Sequence, residues 1–195
     1  AWYLSQTTNR FKPVFETLFA LPLVLPPTVL GFYLLIGFAP DAPLGQFWQM
    51  LTGNRLAFSF EALVIGSMIY SLPFVVQPLR DAFATIGQRP LEVAASLGAS
   101  PIDRFFSVAL PLARPGYLTA SVLGFAHTLG EFGVVLMVGG NIPGETQVLS
   151  IAIYDHVEAL EYGEAHRLAG GLLVLSFVML LSVYAVNRRV SLVRP

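Results

Sequence analysis

The sequence predicts an all-α membrane protein, a polytopic bundle of transmembrane helices, and three observations carry that prediction. The 195 residues are 55% hydrophobic and only 12% charged, where a soluble domain carries about 25% charged residues. Mean hydropathy is +0.68. Four stretches of spanning length, about 17–39, 56–79, 117–138 and 168–187, contain no charged residue except Glu61 and Glu131. A membrane-crossing helix needs about 20 mostly apolar residues. These runs are continuously apolar, whereas a β-barrel strand would alternate over about ten residues.

Composition also excludes function classes. The formal net charge is −1, so no nucleic-acid partner is expected. There is no cysteine, which removes thiolate metal sites and disulfide scaffolds. His127, His156 and His166 are not spaced as a metal motif. No nucleophile or metal constellation accompanies them, so neither a catalytic nor a metal residue is assigned. Lys12 is the only lysine and no G-x-x-x-x-G-K-[ST] occurs. The chain therefore has no P-loop with which to cradle ATP, and any nucleotide site must belong to another polypeptide.

The first span, 17–39, contains Pro22, Pro26 and Pro27, and the second contains Pro73; prolines of this kind kink spans. Ahead of them, "AWYLSQTTNRFK" is an apolar stub followed by basic residues. A signal peptide has the opposite order, so Ala1 to Leu4 reads as the tail of an earlier span absent from this chain. The segment 5–12, the 80–116 loop and the C-terminal tail hold nine of the eleven Lys and Arg residues, leaving Arg55 and Arg167 opposite. Cytoplasmic loops are the Lys/Arg-rich ones, which places the 80–116 loop inside the cell. No repeat or linker divides the chain, and a single membrane domain is expected.

That loop, between the second and third spans, reads as two short helices. Pro90 suits a first helical turn, and Glu92 faces the positive end of that helix dipole. Gly98 supplies a left-handed stop. Ser100 caps a second helix with Pro101 at its first position and Asp103 in the capping-box place. Pro111, Pro115 and Gly116 end it. The first arm displays small side chains, and the second displays Phe105 and Phe106 as an anchor for a partner's groove. The other reading is a loop folded only on its own membrane domain.

The residues Glu92, Ala94 and Gly98, then Val108 and Leu110–Pro111, resemble the EAA loop of ABC importer permeases of type I; Val93 departs from the family's second-position alanine. The resemblance implies that Glu92, Ala94, Ala95, Gly98 and Ala99 dock into a cytoplasmic ABC ATPase subunit and receive its closure. It further implies a second permease subunit, most simply an identical one, and an extracytoplasmic oxyanion-binding protein. The setting is a bacterial or archaeal cytoplasmic membrane. No cofactor would be bound directly, and ATP would sit on the partner.

In the third span, Ala120, Gly124, His127 and Glu131 fall on one face at 100° per residue, with larger apolar residues opposite. A carboxyl at that depth is costly unless paired, hydrated or protonated. Two structural readings stay open for Glu131: a protonated acid, or an acceptor for backbone loosened at Gly130 and Gly133. His127 could partner it or be packed inside. With Ser67, Ser71, Ser121 and Thr128, these residues are candidates for a translocation path or gate. "LGEFG" at 129–133, "GNIPGET" at 140–146 and "LPLVLPP" at 21–27 are similar to molybdate and tungstate permeases, and less closely to sulfate permeases. The cargo implied is an oxyanion, molybdate or tungstate first and sulfate or thiosulfate second. An ATP-independent secondary transporter is the reading from another class, although the inverted repeats it needs are not seen.

On the outer side, "TQVLSIAIYDHVEALEYGEAHR" carries Asp155, Glu158, Glu161 and Glu164. It reads as a solvated acidic face, or as the docking surface for the binding protein. His156 and His166 are expected at the surface. The fourth span, 168–187, carries no charge and completes the bundle.

Overall fold

A computed structural model describes residues 1–7 and 9–191, in which helices are joined by short turns and loops with no strand among the described residues. Arg194, counted above on the inner side, lies outside them. The helices run α1 (Trp2–Gln6), α2 (Lys12–Val24), α3 (Pro27–Phe38), α4 (Pro43–Thr52) and α5 (Phe60–Ile86). They continue as α6 (Arg89–Ser96), α7 (Pro101–Arg104), α8 (Leu110–Leu112), α9 (Arg114–Leu129), α10 (Gly133–Gly139), α11 (Leu149–Glu158) and α12 (Tyr162–Ser191).

Two helices, α5 and α12, are long and apolar enough to cross a bilayer unbroken. The stretch expected as one span over 17–39 is instead a pair, α2 and α3, bent by 111°. Pro26 lies at the break and Pro27 opens α3, as befits a residue with no N–H to give and a fixed φ. The span expected over 117–138 is α9 and α10, bent by 62°. Hydropathy sees that such stretches are apolar but not that their axes turn. The remaining expectations differ only at their ends, since α5 extends beyond 79 to Ile86 and α12 starts at Tyr162.

The chain divides into two compact units. One comprises Leu21–Leu72 and Ala126–Met179. Its core joins Phe38 of α3, Ala62 and Leu63 of α5, Val135 and Val138 of α10, and Ile151 of α11, and α10 packs along α3. The loop at 139–148 is tied down by polar contacts. Thr146 Oγ1 donates to Gly139 O at 2.6 Å and accepts from Ile142 N at 2.9 Å. Asn141 Nδ2 and Gln147 Nε2 both donate to Asp155 Oδ2 at 2.9 Å. Glu158 and Glu161 remain exposed and Asp155 and Glu164 half-buried, so this acidic face is solvated while its members are also engaged by neighbours. Tyr154 donates to Glu158, His156 pairs with Glu161 and Arg167 pairs with Glu164. His166 is exposed.

The other unit holds Ala1–Ala20, Pro73–Phe125 and the last helix from Leu180 on. Phe83, Leu91, Ala109 and Ala113 form its core. Trp2 stands edge-on to Phe83 at 5.1 Å and tilts over Phe105 at 5.4 Å, so α1 is clamped onto α5. Fully burying a ring such as Phe83 contributes roughly 1.5–3 kcal/mol. Phe105, expected to be on offer to a partner, is therefore part of this core, and only Phe106 is presented, at 60% exposure. Arg80 of α5 is bonded to Glu16 of α2 at 3.1 Å and to its neighbour Asp81.

The crossing of α9 on α5 in this unit depends on Gly116. A Cβ built there would lie 2.2 Å from the Cβ of Ala82, which no side-chain rotation relieves. Overpacking of this kind costs about 1–3 kcal/mol. Gly116→Ala is expected to lower the melting temperature in detergent, and adding Ala82→Gly to restore much of it. Unchanged melting of the single variant would show that the crossing is looser than described.

Candidate functional site

Two sets of residues carry the chemistry, one in each unit. The first is the elbow between α5 and α9. Helix α6 has Pro90 and Glu92 in its first turn. Its last turn is closed chiefly by the backbone: Gly98 N–H donates to Ala95 O at 2.9 Å and Ala99 N–H donates to Ala94 O at 3.0 Å, with Gly98 left-handed at φ +88°, while the Ser96 hydroxyl donates to Val93 O at 2.8 Å. This paired closure is the Schellman arrangement. A Cβ at Gly98 would meet open space, so glycine is required there for its φ and not for room. Four of the five predicted docking residues, Ala94, Ala95, Gly98 and Ala99, thus supply the joint itself.

Helix α7 begins as expected, with Ser100 Oγ accepting from Asp103 N–H at 3.2 Å and Pro101 in the first turn. The Asp103 carboxylate takes the Ser107 hydroxyl at 2.8 Å. Pro111 does not end this arm. The chain widens into a π-turn over Phe105–Ala109 and continues as α8, and only Ala113 interrupts it before α9. A π-turn just ahead of a proline is a local way to absorb its missing N–H. Glu92, Ala95 and Gly98 are exposed, while Ala94 and Ala99 are half-buried. Around them stand Val93 at 60%, Leu97 at 83% and Ile102 at 72% exposure. Leu97 was not singled out in the sequence, although it directly precedes the glycine stop.

The second set is a polar cluster between α5 and the end of α9. Ser71, 6% exposed, is its hub. Its Oγ lies 3.0 Å from His127 Nδ1 and 3.0 Å from Thr128 Oγ1. Tyr70 tilts over the His127 ring at 4.6 Å; its place beside Ser71 was the available signal for it. Ser121 does not join the cluster and is exposed on α9 in the other unit.

Helix α9 ends at Leu129, so the helical face drawn through Ala120, Gly124, His127 and Glu131 stops short of Glu131. That residue sits in the break before α10. Gly130 N–H donates to His127 O and Glu131 N–H to Thr128 O, and Ser150 of α11 donates its hydroxyl to Glu131 O. Gly133 opens α10 against Pro27. The Glu131 side chain is 4% exposed, and neither carboxyl oxygen has a hydrogen bond of ordinary geometry. Ser67 is near enough to act on it. Ser67, Thr128, Glu131 and Ser150 line a cavity of about 350 Å³ whose other walls are apolar side chains. Nothing in the sequence pointed to Ser150, since its approach depends on how α11 folds back. Among the described residues no cluster of His, Asp or Glu suited to a metal ion occurs.

Residues 3–192 match the family of binding-protein-dependent transport system inner membrane components. The molybdenum transport system permease protein ModB of Azotobacter vinelandii is 57% identical over 96% of this chain and 83% of its own length. A putative molybdenum transport system permease of Bacillus subtilis, YvgM, is 39% identical over 92% of this chain and 79% of its own. Among solved structures, a chain of a bacterial alginate ABC transporter, crystallised with an alginate pentasaccharide-bound periplasmic protein, superposes with a TM-score of 0.74. It covers 97% of this chain and 69% of the other at 18% identity, a likeness of fold alone. With an elbow, broken spans and a match over nearly its whole length, the chain belongs to the family of binding-protein-dependent transport system inner membrane components.

Proposed function

We propose that this chain is the membrane-spanning permease subunit of an ATP-driven importer for molybdate or tungstate. It is a transport subunit and not an enzyme. The observation that carries the reading is the elbow: a glycine-jointed pair of helices with Val93, Leu97, Ile102 and Phe106 exposed. An apolar surface next to a rigid joint is suited to a partner's groove. The cytoplasmic ABC ATPase is that partner, and it carries the ATP. Glu92 and Ala95 lie on the docking face, and Ala94, Gly98 and Ala99 hold its shape. A second copy of the chain and an extracytoplasmic oxyanion-binding protein complete the importer in the cytoplasmic membrane. Identity of 57% to a permease named for molybdenum supports the cargo.

The physics explains why such a cargo needs a coupled path. A bare ion in hydrocarbon costs tens of kcal/mol. Entry of a dianion against an inside-negative potential adds about 4.6 kcal/mol per 100 mV. The Ser71, His127 and Thr128 cluster, with Ser67, offers a dianion uncharged donors along the path, while Gly130 and Gly133 flank the break that would move as a gate.

With the cognate ATPase and binding protein in proteoliposomes, ATP-driven molybdate uptake is expected, with tungstate competing at similar concentration and sulfate only in excess. Equal competition by sulfate would reassign the cargo, and uptake without the ATPase would make the chain a secondary transporter. Gly98→Val is expected to insert normally and leave ATP hydrolysis running while uptake falls roughly tenfold. A left-handed β-branched residue adds about 1–2 kcal/mol of strain to the joint. Uptake at the wild-type rate would remove the elbow from the coupling path.

A further inference from the structure

The Glu131 carboxyl is left over once the break in α9 has been accounted for. Its backbone N–H and C=O are both bonded, to Thr128 and Ser150. Its side chain is 4% exposed, with both oxygens lacking a hydrogen bond of ordinary geometry. It lines a cavity of about 350 Å³ that is otherwise apolar apart from Ser67, Thr128 and Ser150. No Lys or Arg lines that cavity among the described residues. The titratable side chains around it are Tyr70 of α5, close enough to feel its charge, and His127 of α9, bonded to Ser71. Residues from α10 and α11 on the cavity wall, Val135, Leu149 and Ser150, carry no charge.

The wall offers a buried carboxylate three hydroxyls but, among the described residues, no cation, and an ionised one is held in place by counter-charges and several strong hydrogen bonds. A carboxylic acid in the same place needs none of them and has an O–H to give. A fully ionised oxyanion offers only acceptors, so an ionised Glu131 would repel it and a protonated one can donate to it. We propose that Glu131 meets the cargo as a neutral acid, donating its O–H to the oxyanion, and that loss of this proton to water closes the path. This rests on the permease reading and adds to it a specificity residue that works by holding a proton. The cavity wall shared by Thr128 and Glu131 makes the O–H continuous with the Ser71 cluster.

The test uses the complete transporter with its ATPase and binding protein. Infrared difference spectra of wild type against Glu131→Gln report the carbonyl stretch of a protonated carboxylic acid, whether or not transport occurs. That band is expected at neutral pH and should fade as pH rises. Molybdate uptake, measured beside ATP hydrolysis, should fall in wild type over the same range by about tenfold per pH unit once the acid ionises. Glu131→Leu should lose most uptake at every pH. Glu131→Gln, which keeps a neutral donor, should recover part of it and lose the alkaline fall. A carboxylate band in place of the acid band would overturn the proposal, as would uptake that requires a specific metal cation bound beside an ionised Glu131. So would a Gln variant as defective as Leu. If the acid band is present but wild type carries no molybdate at any pH, the cargo reading has failed and the proton assignment stands.

Discussion

Inside a bilayer no water is available to bond a loose amide, so every backbone N–H and C=O must find its partner within the protein. That constraint governs where this chain may interrupt its helices. At the break after α9 the preceding turn takes up two N–H groups through His127 O and Thr128 O, and Ser150 supplies a hydroxyl to Glu131 O. At the break before α3, two prolines reduce the number of N–H groups that need a partner at all. In both places, irregular backbone is tolerable because the groups it would orphan are either satisfied nearby or missing. The first of these breaks is also where polar side chains collect: Ser150 bonds its backbone, and Ser71, His127 and Thr128 bond one another beside it.

The elbow follows a different rule because it lies outside the apolar stretches. Its joint is made of backbone: two amides and two carbonyls around a left-handed glycine. The side chains nearest the joint are small, and two of them, Ala94 and Ala99, are half-buried. The more exposed Val93, Leu97 and Ile102 are then free to serve recognition without holding the bend together. Rigid bends transmit displacement, whereas a flexible linker of the same length would absorb it. The clamp of Trp2 on Phe83 and Phe105 adds stiffness on the membrane side of the elbow, and it explains why Phe105 is withheld from the surface while Phe106 is not.

What the sequence disclosed was mostly local. Ser100, Pro101 and Gly98 declare helix ends through hydrogen bonds that reach three to five residues, so their geometry could be written down before any packing was known. The apolar runs were legible for the same reason. Where α2 turns into α3, hydropathy remains high through the bend, and only the backbone knows that the axis has changed. Glu131 was placed on a helical face because periodicity assumes the helix continues, which it does not beyond Leu129. The link between Ser71 and Thr128 spans 57 residues, and that of Ser150 to Glu131 depends on the fold of the 139–148 loop. Such contacts are set by tertiary packing, and nothing in a single sequence encodes them locally. Among the acids at 155–164, Asp155 takes Asn141 and Gln147 only because the loop brings them near, whereas Glu158, Glu161 and Glu164 find partners within five residues.

An uncharged lining has a consequence for energetics. A lysine or arginine at the position of Ser71 would attract a dianion strongly, since each pair of unit charges at 4 Å is worth about 4 kcal/mol at an effective dielectric near 20. Two charges on the cargo would roughly double that, and release would slow by many orders of magnitude. Hydroxyls and an imidazole give a dianion somewhere to rest without holding it, since each neutral hydrogen bond contributes about 0.5–1.5 kcal/mol. Conduction requires binding that is favourable enough to enter and weak enough to leave. The cost of that weakness is that the path by itself neither concentrates the ion nor selects it strongly. Accumulation must then be driven from outside the path, the part proposed for the elbow and a partner ATPase. High-affinity selection must be done before the ion arrives, the part proposed for a binding protein. A lining without cations and an external drive are therefore two expressions of one requirement: a dianion must pass through and must not stay.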